Sequence, residues 1–405
     1  MKIKNQHLTY CTNIHPGESW TDTFDNLKKY LPGIREKVGV EGPFAIGLRL
    51  SNEASLELEK ENHLNAFSNW LQENDFYVFT FNGFPYGGFH RQVVKDEVHQ
   101  PDWTTSERRD YTNRLFTLMS QLLPLGMDGG ISTSPLSYRH WHQGEEALKA
   151  VWEKSTSHLI EVVAHLHQLH QQTGKLLHLD IEPEPDGMIE NADETIYFFK
   201  EWLLKNGAEQ LQSELGGSVE EAKTLIKSHI RICYDVCHFA VVYSDHSAVL
   251  RRFKEEGIGI GKFQLSAALK VSLLKGAKEK GQVKNALLPF AESTYLHQVV
   301  AKSIEGEFSS YKDLPEALHQ LDTTKDQEWR IHFHVPIFLS EYGNLQSTQE
   351  DILQVLSLNL KEDYTPHLEV ETYTWEVLPE DIHLSLSESI ARELQWVLTS
   401  ISSYE

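Results

Sequence analysis

Four stretches of the chain place carboxylates and imidazoles at spacings that can do chemistry. In Asp180-Ile-Glu-Pro-Glu-Pro185 the acids alternate, so an extended strand puts Asp180, Glu182 and Glu184 on one face. Pro183 and Pro185 bar a helix there. Three carboxylates on one face repel one another unless a cation or a proton sits among them, and Glu182 is the leading functional candidate. An exposed acidic loop with no ligand is the bland alternative. In Cys233-Tyr-Asp-Val-Cys-His238 an apolar run leads into Asp-x-x-His. Asp235 and His238 can then share a divalent metal or hold a substrate hydroxyl where the chain turns out of a strand. The motif alone equally fits a helix-capping or core histidine; its place at a strand end raises it.

Trp329-Arg-Ile-His-Phe-His-Val-Pro336 sets His332 and His334 on one side of a strand, with His334 nearer the C-terminal end. His367-Leu-Glu-Val-Glu-Thr-Tyr-Thr-Trp375 does the same for Glu369 and Glu371, and Glu371 is the better placed. In Lys262-Phe-Gln-Leu-Ser266, Gln264 can offer a carbonyl oxygen to a metal or an amide to a substrate, or be structural. The turns Thr12-Asn-Ile-His-Pro-Gly17 and Asn82-Gly-Phe-Pro-Tyr-Gly-Gly-Phe-His90 make Asn13, His15, Phe84 and His90 candidate substrate-binding residues, since ligand contacts concentrate in such loops.

The elements that must position these groups alternate along the chain. Strand-like runs are expected at residues 8–14, 45–51, 76–84, 130–137, 176–182, 230–237, 258–266, 330–338 and 368–375. Helical spacing of apolar residues falls between them, at 23–38, 64–72, 106–123, 146–171, 194–204, 248–256, 314–321, 348–358 and 386–398. This βα alternation predicts an α/β fold with a parallel sheet, a (β/α)8 TIM barrel over residues 1–405 as one domain. A barrel needs eight strands and nine are offered, so 330–338 or 258–266 is expected to stand outside it. Residues around 270–330, including a Lys-rich loop from Lys270 to Lys284, read as an insertion. Active sites of such barrels lie at the C-terminal strand ends, where all four stretches fall.

Composition limits the partners. Across 405 residues, 37 Lys and Arg stand against 59 Asp and Glu, a net charge of −22. Such a chain repels the phosphates that duplex binders attract, so nucleic acid is not the expected partner. No apolar span suits a membrane, and no leader segment is recognisable, so a cytoplasmic protein is expected, with homo-oligomerisation left open. Cys11, Cys233 and Cys237 read as buried thiols rather than a disulfide framework. Gly257-Ile-Gly-Ile-Gly-Lys-Phe263 fails as a phosphate loop, because Phe263 stands where Ser or Thr is needed.

With Glu182, Asp235-x-x-His238, Gln264 and Glu371 following one another at strand ends, the chain resembles the xylose isomerase-like TIM barrels. That superfamily holds sugar isomerases, ketose 3-epimerases and endonuclease IV-type enzymes. More narrowly, Tyr10-Cys-Thr-Asn-Ile-His-Pro-Gly-Glu18, His332-Phe-His-Val-Pro336 and 368–375 resemble the EboE "metabolite traffic" family. The resemblance implies a divalent metal (Mn, Mg, Co or Zn) held by Glu182, Asp235 and Glu371, with His238 as ligand or substrate contact. Gln264 stands where relatives usually supply His, and His334, ahead of His332 or His297, is expected to compensate. The implied reaction is isomerisation or epimerisation of a small hydroxy-carbonyl compound through an enediolate. Glu182 and Glu371, on opposite sides of the mouth, would act as bases, with His238 in the catalytic set and Glu184 and His332 touching substrate. The alternatives are a non-catalytic metabolite carrier and an endonuclease IV-like phosphodiesterase, the latter opposed by the charge and by an apparent shortage of further His ligands.

Overall fold

The computed structural model describes residues 1–88, 94–273, 277–291, 295–373 and 384–404, with 277–279 described by backbone alone. Eight parallel strands, numbered here in chain order, build the barrel: β1 (Gln6–Tyr10), β2 (Phe44–Arg49), β3 (Phe76–Asn82), β4 (Gly129–Thr133), β5 (Leu177–Ile181), β6 (Ile230–Asp235), β7 (Ile260–Leu265) and β8 (His367–Val370). Their order is β1-β8-β7-β6-β5-β4-β3-β2. The ring closes between β1 and β2, where Thr9 Oγ1 donates to Ala45 O at 2.8 Å and Cys11 pairs with Gly47 in a parallel bridge. Helices cover the outside; Trp20–Val38 is capped by Ser19, whose side chain accepts from Asp22 N, and ends at Gly39 in the left-handed region. Its apolar stripe of Leu27, Leu31 and Ile34 is fully buried.

The strand at 258–266 is therefore a barrel strand, and 330–338 is the one outside. It belongs to Asp326–Val335, the core of a second, six-stranded antiparallel sheet. Strands Ala267–Ser272, Val299–Ser303, Phe308–Tyr311, Glu341–Tyr342 and Leu345–Ser347 complete that sheet. The insertion thus begins directly after β7 and runs to the helix Gln349–Glu362, wider than the expected 270–330. Within what read as a Lys-rich loop from Lys270 to Lys284, the described residues include the end of a strand and most of the helix Ala277–Leu287. Leu269 and Val271 explain the difference, because they alternate with lysine at period two and are buried while Lys270 is not.

The barrel interior is polar. Lys262 of β7 and Glu369 of β8 form an ion pair with no solvent exposure. Gly47 makes room for it: a Cβ there would lie 1.9 Å from Glu369 Oε1. Gly261 does the same for Asp180, whose Oδ1 would sit 1.9 Å from its Cβ. Among the described residues no helix is long and apolar enough to cross a membrane. All three cysteines are buried free thiols.

Candidate metal centre

Strand register sets the height of each side chain. Gln264 pairs with Asp235 on one side and Glu369 on the other, and Glu371 N donates to Leu265 O at 3.1 Å. Counting in twos from Lys262 and Glu369 therefore brings Gln264 and Glu371 to the C-terminal mouth, beside Glu182 and Asp235. Carboxylate oxygens of Glu182, Asp235 and Glu371 all lie within 4.8 Å of one another, and all three residues are buried. Gln264 Nε2 sits among them, donating to Glu371 Oε2 at 2.5 Å and lying 3.2 Å from both Glu182 Oε1 and Asp235 Oδ2. An amide has two hydrogens, so it cannot serve three carboxylates at once. Glu182 Oε2 has no hydrogen-bond partner. Burial, then the Glu371 and Asp235 charges, push the Glu182 carboxyl well above its ordinary value. Burial and Asp235 push Glu371 up to about 8.

Asp235 differs. Burial works against its charge, yet His238, His334 and the Ser266 hydroxyl, which donates to Oδ1 at 2.6 Å, hold it below the usual carboxylate value. It also caps the helix Val236–Val241 by accepting from His238 N at 3.1 Å, and this turn is what the Asp-x-x-His spacing encodes. His238 Nδ1 lies 2.9 Å from Pro183 O and His334 Nδ1 lies 3.2 Å from Glu371 O. Carbonyls only accept, so in each neutral ring Nδ1 carries the hydrogen and Nε2 presents a lone pair. Those two nitrogens lie 3.9 Å from Asp235 Oδ1 and Oδ2 respectively. The donor atoms of Asp235, His238 and His334 again fall within 4.8 Å of one another. Two imidazole lone pairs, a carboxylate and a carboxylate oxygen without a donor fit a hard to borderline divalent cation.

His334 reaches the mouth from the insertion because register shifts between Ile331 and His334, a bulge that re-aims the strand end. His332 lines the pocket beside it, its Nδ1 2.8 Å from Gln298 Oε1. Phe84 and Glu184 also line the pocket, and His99 Nε2 lies 3.0 Å from Glu184 Oε1. Asn13 donates to Glu371 Oε1 at 2.6 Å.

Several expectations need correction. Asp180 does not join Glu182 and Glu184 at the mouth; it points into the barrel, where His178 Nδ1 lies 2.6 Å from its Oδ1. His15 is not brought to the pocket, since its ring stacks on Tyr30 at 4.5 Å and its Nε2 meets Tyr10 Oη at 2.8 Å. His297 lies behind the lining, against Phe333 and Asp313. Glu182 and Glu371 converge on one amide rather than facing each other across the mouth. The shortage of imidazoles is overturned too, with Glu184, His238 and His332 forming a further group within 4.8 Å. His90 and the strand tail at 374–375 lie outside the described residues. Sequence reasoning passed over Asn82, which donates to Glu371 Oε1 at 3.0 Å, and Ser266. Both end an alternating strand face that already carries a named residue or leads into a named turn, which was the available signal.

No family model matches the chain, and no curated protein does. Solved structures do. A xylose isomerase-like TIM barrel protein from Mycobacterium smegmatis in complex with magnesium is 11% identical, covers 98% of this chain and 97% of its own, and superposes with a TM-score of 0.51. An IOLI protein with a binding zinc atom is 11% identical over 98% and 99% of the two chains, with a TM-score of 0.48. A D-tagatose 3-epimerase-like protein is 8% identical over 98% and 99%, with a TM-score of 0.49. The fold is that of the xylose isomerase-like TIM barrels.

Proposed function

We propose that the protein is a metal-dependent isomerase or epimerase of a small, uncharged hydroxy-carbonyl compound. The observation that carries this is the convergence of buried Glu182, Asp235 and Glu371 at the strand ends with Glu182 Oε2 left without a donor. Glu182, Asp235 and Glu371, with His238 and His334, would hold the cation; Gln264 and its amide orient the carboxylates. When bound, the cation supplies Lewis-acid polarisation of a carbonyl and its neighbouring hydroxyl. The magnesium named for one structural neighbour accords with such a site.

The two glutamates then differ in role. Asn13 and Asn82 both hold Glu371 Oε1, which makes Glu371 an anchored ligand. Glu182 Oε2 is the oxygen at liberty to take the proton from the carbon between the two substrate oxygens, leaving the electron pair on an enediolate, and to return it to carbon. Carboxylates within 4.8 Å leave little room for a carbon between them, so the arrangement suits one-base transfer from one carbon to its neighbour, which is aldose–ketose isomerisation, better than the two opposed bases that epimerisation needs. Lys95 is the only Lys or Arg among the described pocket-lining residues, and its Nζ is 2.9 Å from Asp313 Oδ2. With its ammonium held by Asp313, Lys95 is not placed to clamp a phosphate, which favours free over phosphorylated sugars. We read residues 1–405 as one unit, because the insertion contributes His334 to the barrel's own site.

The test is exchange of substrate C–H with solvent deuterium, followed by NMR on a set of unphosphorylated ketoses and aldoses with Mn²⁺, Mg²⁺, Co²⁺ or Zn²⁺. Exchange in the wild type, lowered about 10²–10⁴-fold in Glu182→Gln with metal still bound, is the expected result. Undiminished exchange in that variant would sink the assignment. A second reading, a carrier of the kind the EboE resemblance suggests, is favoured by the Gln264 amide lying among the three carboxylates. Tight binding of a sugar with no exchange and no metal uptake would establish it.

A further inference from the structure

The opposite end of the barrel holds another cluster. Asp128 immediately precedes β4, His178 is the second residue of β5, and His367 opens β8. One donor atom from each lies within 4.8 Å of the others. His367 Nε2 is 3.3 Å from Asp128 Oδ1, and His178 Nε2 is 3.6 Å from Asp128 Oδ2. Both imidazoles are buried, yet neither Nε2 makes an aligned hydrogen bond. Asp128 keeps 24% of its side chain exposed, which gives the cluster a route to solvent.

Tautomers sharpen the picture. His178 Nδ1 lies 2.6 Å from the Asp180 carboxylate, which only accepts, so Nδ1 carries the hydrogen. A neutral His178 then turns the bare lone pair of Nε2 toward a second carboxylate, an arrangement that is repulsive unless a proton or a metal cation stands between them. An aspartate behind an imidazole is also the usual support of a metal-bound histidine, fixing its ring and raising its basicity. The separations suit the purpose. Tetrahedral zinc with bonds of about 2.0–2.1 Å sets its ligand atoms roughly 3.3–3.4 Å apart, close to the distances here. Arg231 Nη1 donates to Asp128 Oδ2 at 3.0 Å and orients the carboxylate, but a donor gives the imidazole lone pairs nothing.

We propose that Asp128, His178 and His367 form a second divalent-cation site, of zinc type, at the floor of the barrel. Its role is structural. β8 has only four residues, follows the long insertion, and neighbours β1 and β7 rather than β4 or β5. A shared ion braces it across the barrel to those two strands. His178 and Glu182 are four residues apart on one strand, about 13 Å, so the floor and the mouth have separate ligands. The proposal does not depend on the function proposed for the mouth.

The experiment uses the full chain, stripped of metal and carrying Glu182→Gln, Asp235→Asn, His238→Gln, His334→Gln and Glu371→Gln, so that neither donor group of the mouth remains. Zn²⁺ is titrated by calorimetry, bound metal is counted by elemental analysis, and thermal unfolding is followed with and without it. One equivalent bound with micromolar or tighter affinity, together with a raised unfolding temperature, is expected. Adding His367→Gln should remove both. Asp128→Asn, at the exposed rim, provides the same reading should the histidine variant not fold. Failure of the mouth-disabled protein to take up zinc, with His178 detected as an imidazolium by ¹⁵N NMR, would overturn the site, as would retention of the equivalent in Asp128→Asn.

Discussion

Glu369 and Glu371 lie two residues apart on the same strand face, both buried, and their surroundings could hardly differ more. Glu369 is paired with the Lys262 ammonium inside the barrel. Although burial opposes it, Glu369 holds that ammonium protonated well past its ordinary range. Glu371, one layer higher, meets amides from Gln264, Asn13 and Asn82 and two further carboxylates. A buried charge with a resident counter-charge is part of the scaffold. Buried charges with too few donors are placed for something that arrives from outside.

Breaking the lower layer should have the largest effect on stability. Lys262→Met leaves Glu369 buried and alone, and urea unfolding should show a loss of about 3–5 kcal/mol. Lys262→Met with Glu369→Gln should recover most of it; no recovery would mean that Lys262 acts through something other than the pair. The mouth should respond to pH instead. Glu371 has a folded-state pKa near 8 against an ordinary 4.5, so the stability its neutral carboxyl contributes is complete below about 4.5 and is lost as pH rises through about 8. Metal-free protein should therefore unfold at falling temperatures from pH 5 to 9. Glu393, likewise pushed up to about 8 by burial, adds to that decline, so the diagnostic is the shallower slope expected in Glu371→Gln. Added divalent cation should also flatten the slope, since it supplies the missing counter-charge. The smallest effect belongs to the amide shell: Asn82→Ala should weaken metal affinity about tenfold while leaving the unfolding of metal-free protein nearly unchanged. A calorimetric titration reads this, and an unaltered affinity would remove Asn82 from the site.

Much of the barrel was legible because hydrophobic alternation reports which strand face is buried, and polar groups at 182, 235, 264 and 371 interrupt it at strand ends. Period-two counting says that Glu369 and Glu371 share a face. It cannot say that one meets Lys262 and the other does not, because the partner comes from β7, more than a hundred residues away. Lys262 illustrates the point: beside three glycines it suggested a failed phosphate loop, while in the fold it is the counter-ion of the barrel interior. His178 shares a strand face with Asp180, which period-two counting could have shown, but its meeting with Asp128 and His367 depends on elements far away in the chain. The insertion was underestimated for the same reason, its sheet being held by pairings such as Trp329 with Val271.

Sequence by itself determined the parallel (β/α)8 layout, the strand ends that carry carboxylates, and the Asp-x-x-His turn, because all of these follow from local periodicity and capping. Tertiary structure alone decided which charges are neutralised and which are left for a ligand. That distinction depends on distances across the barrel, where eight strands bring together residues that share no sequence neighbourhood, and where burial makes each missing counter-charge costly.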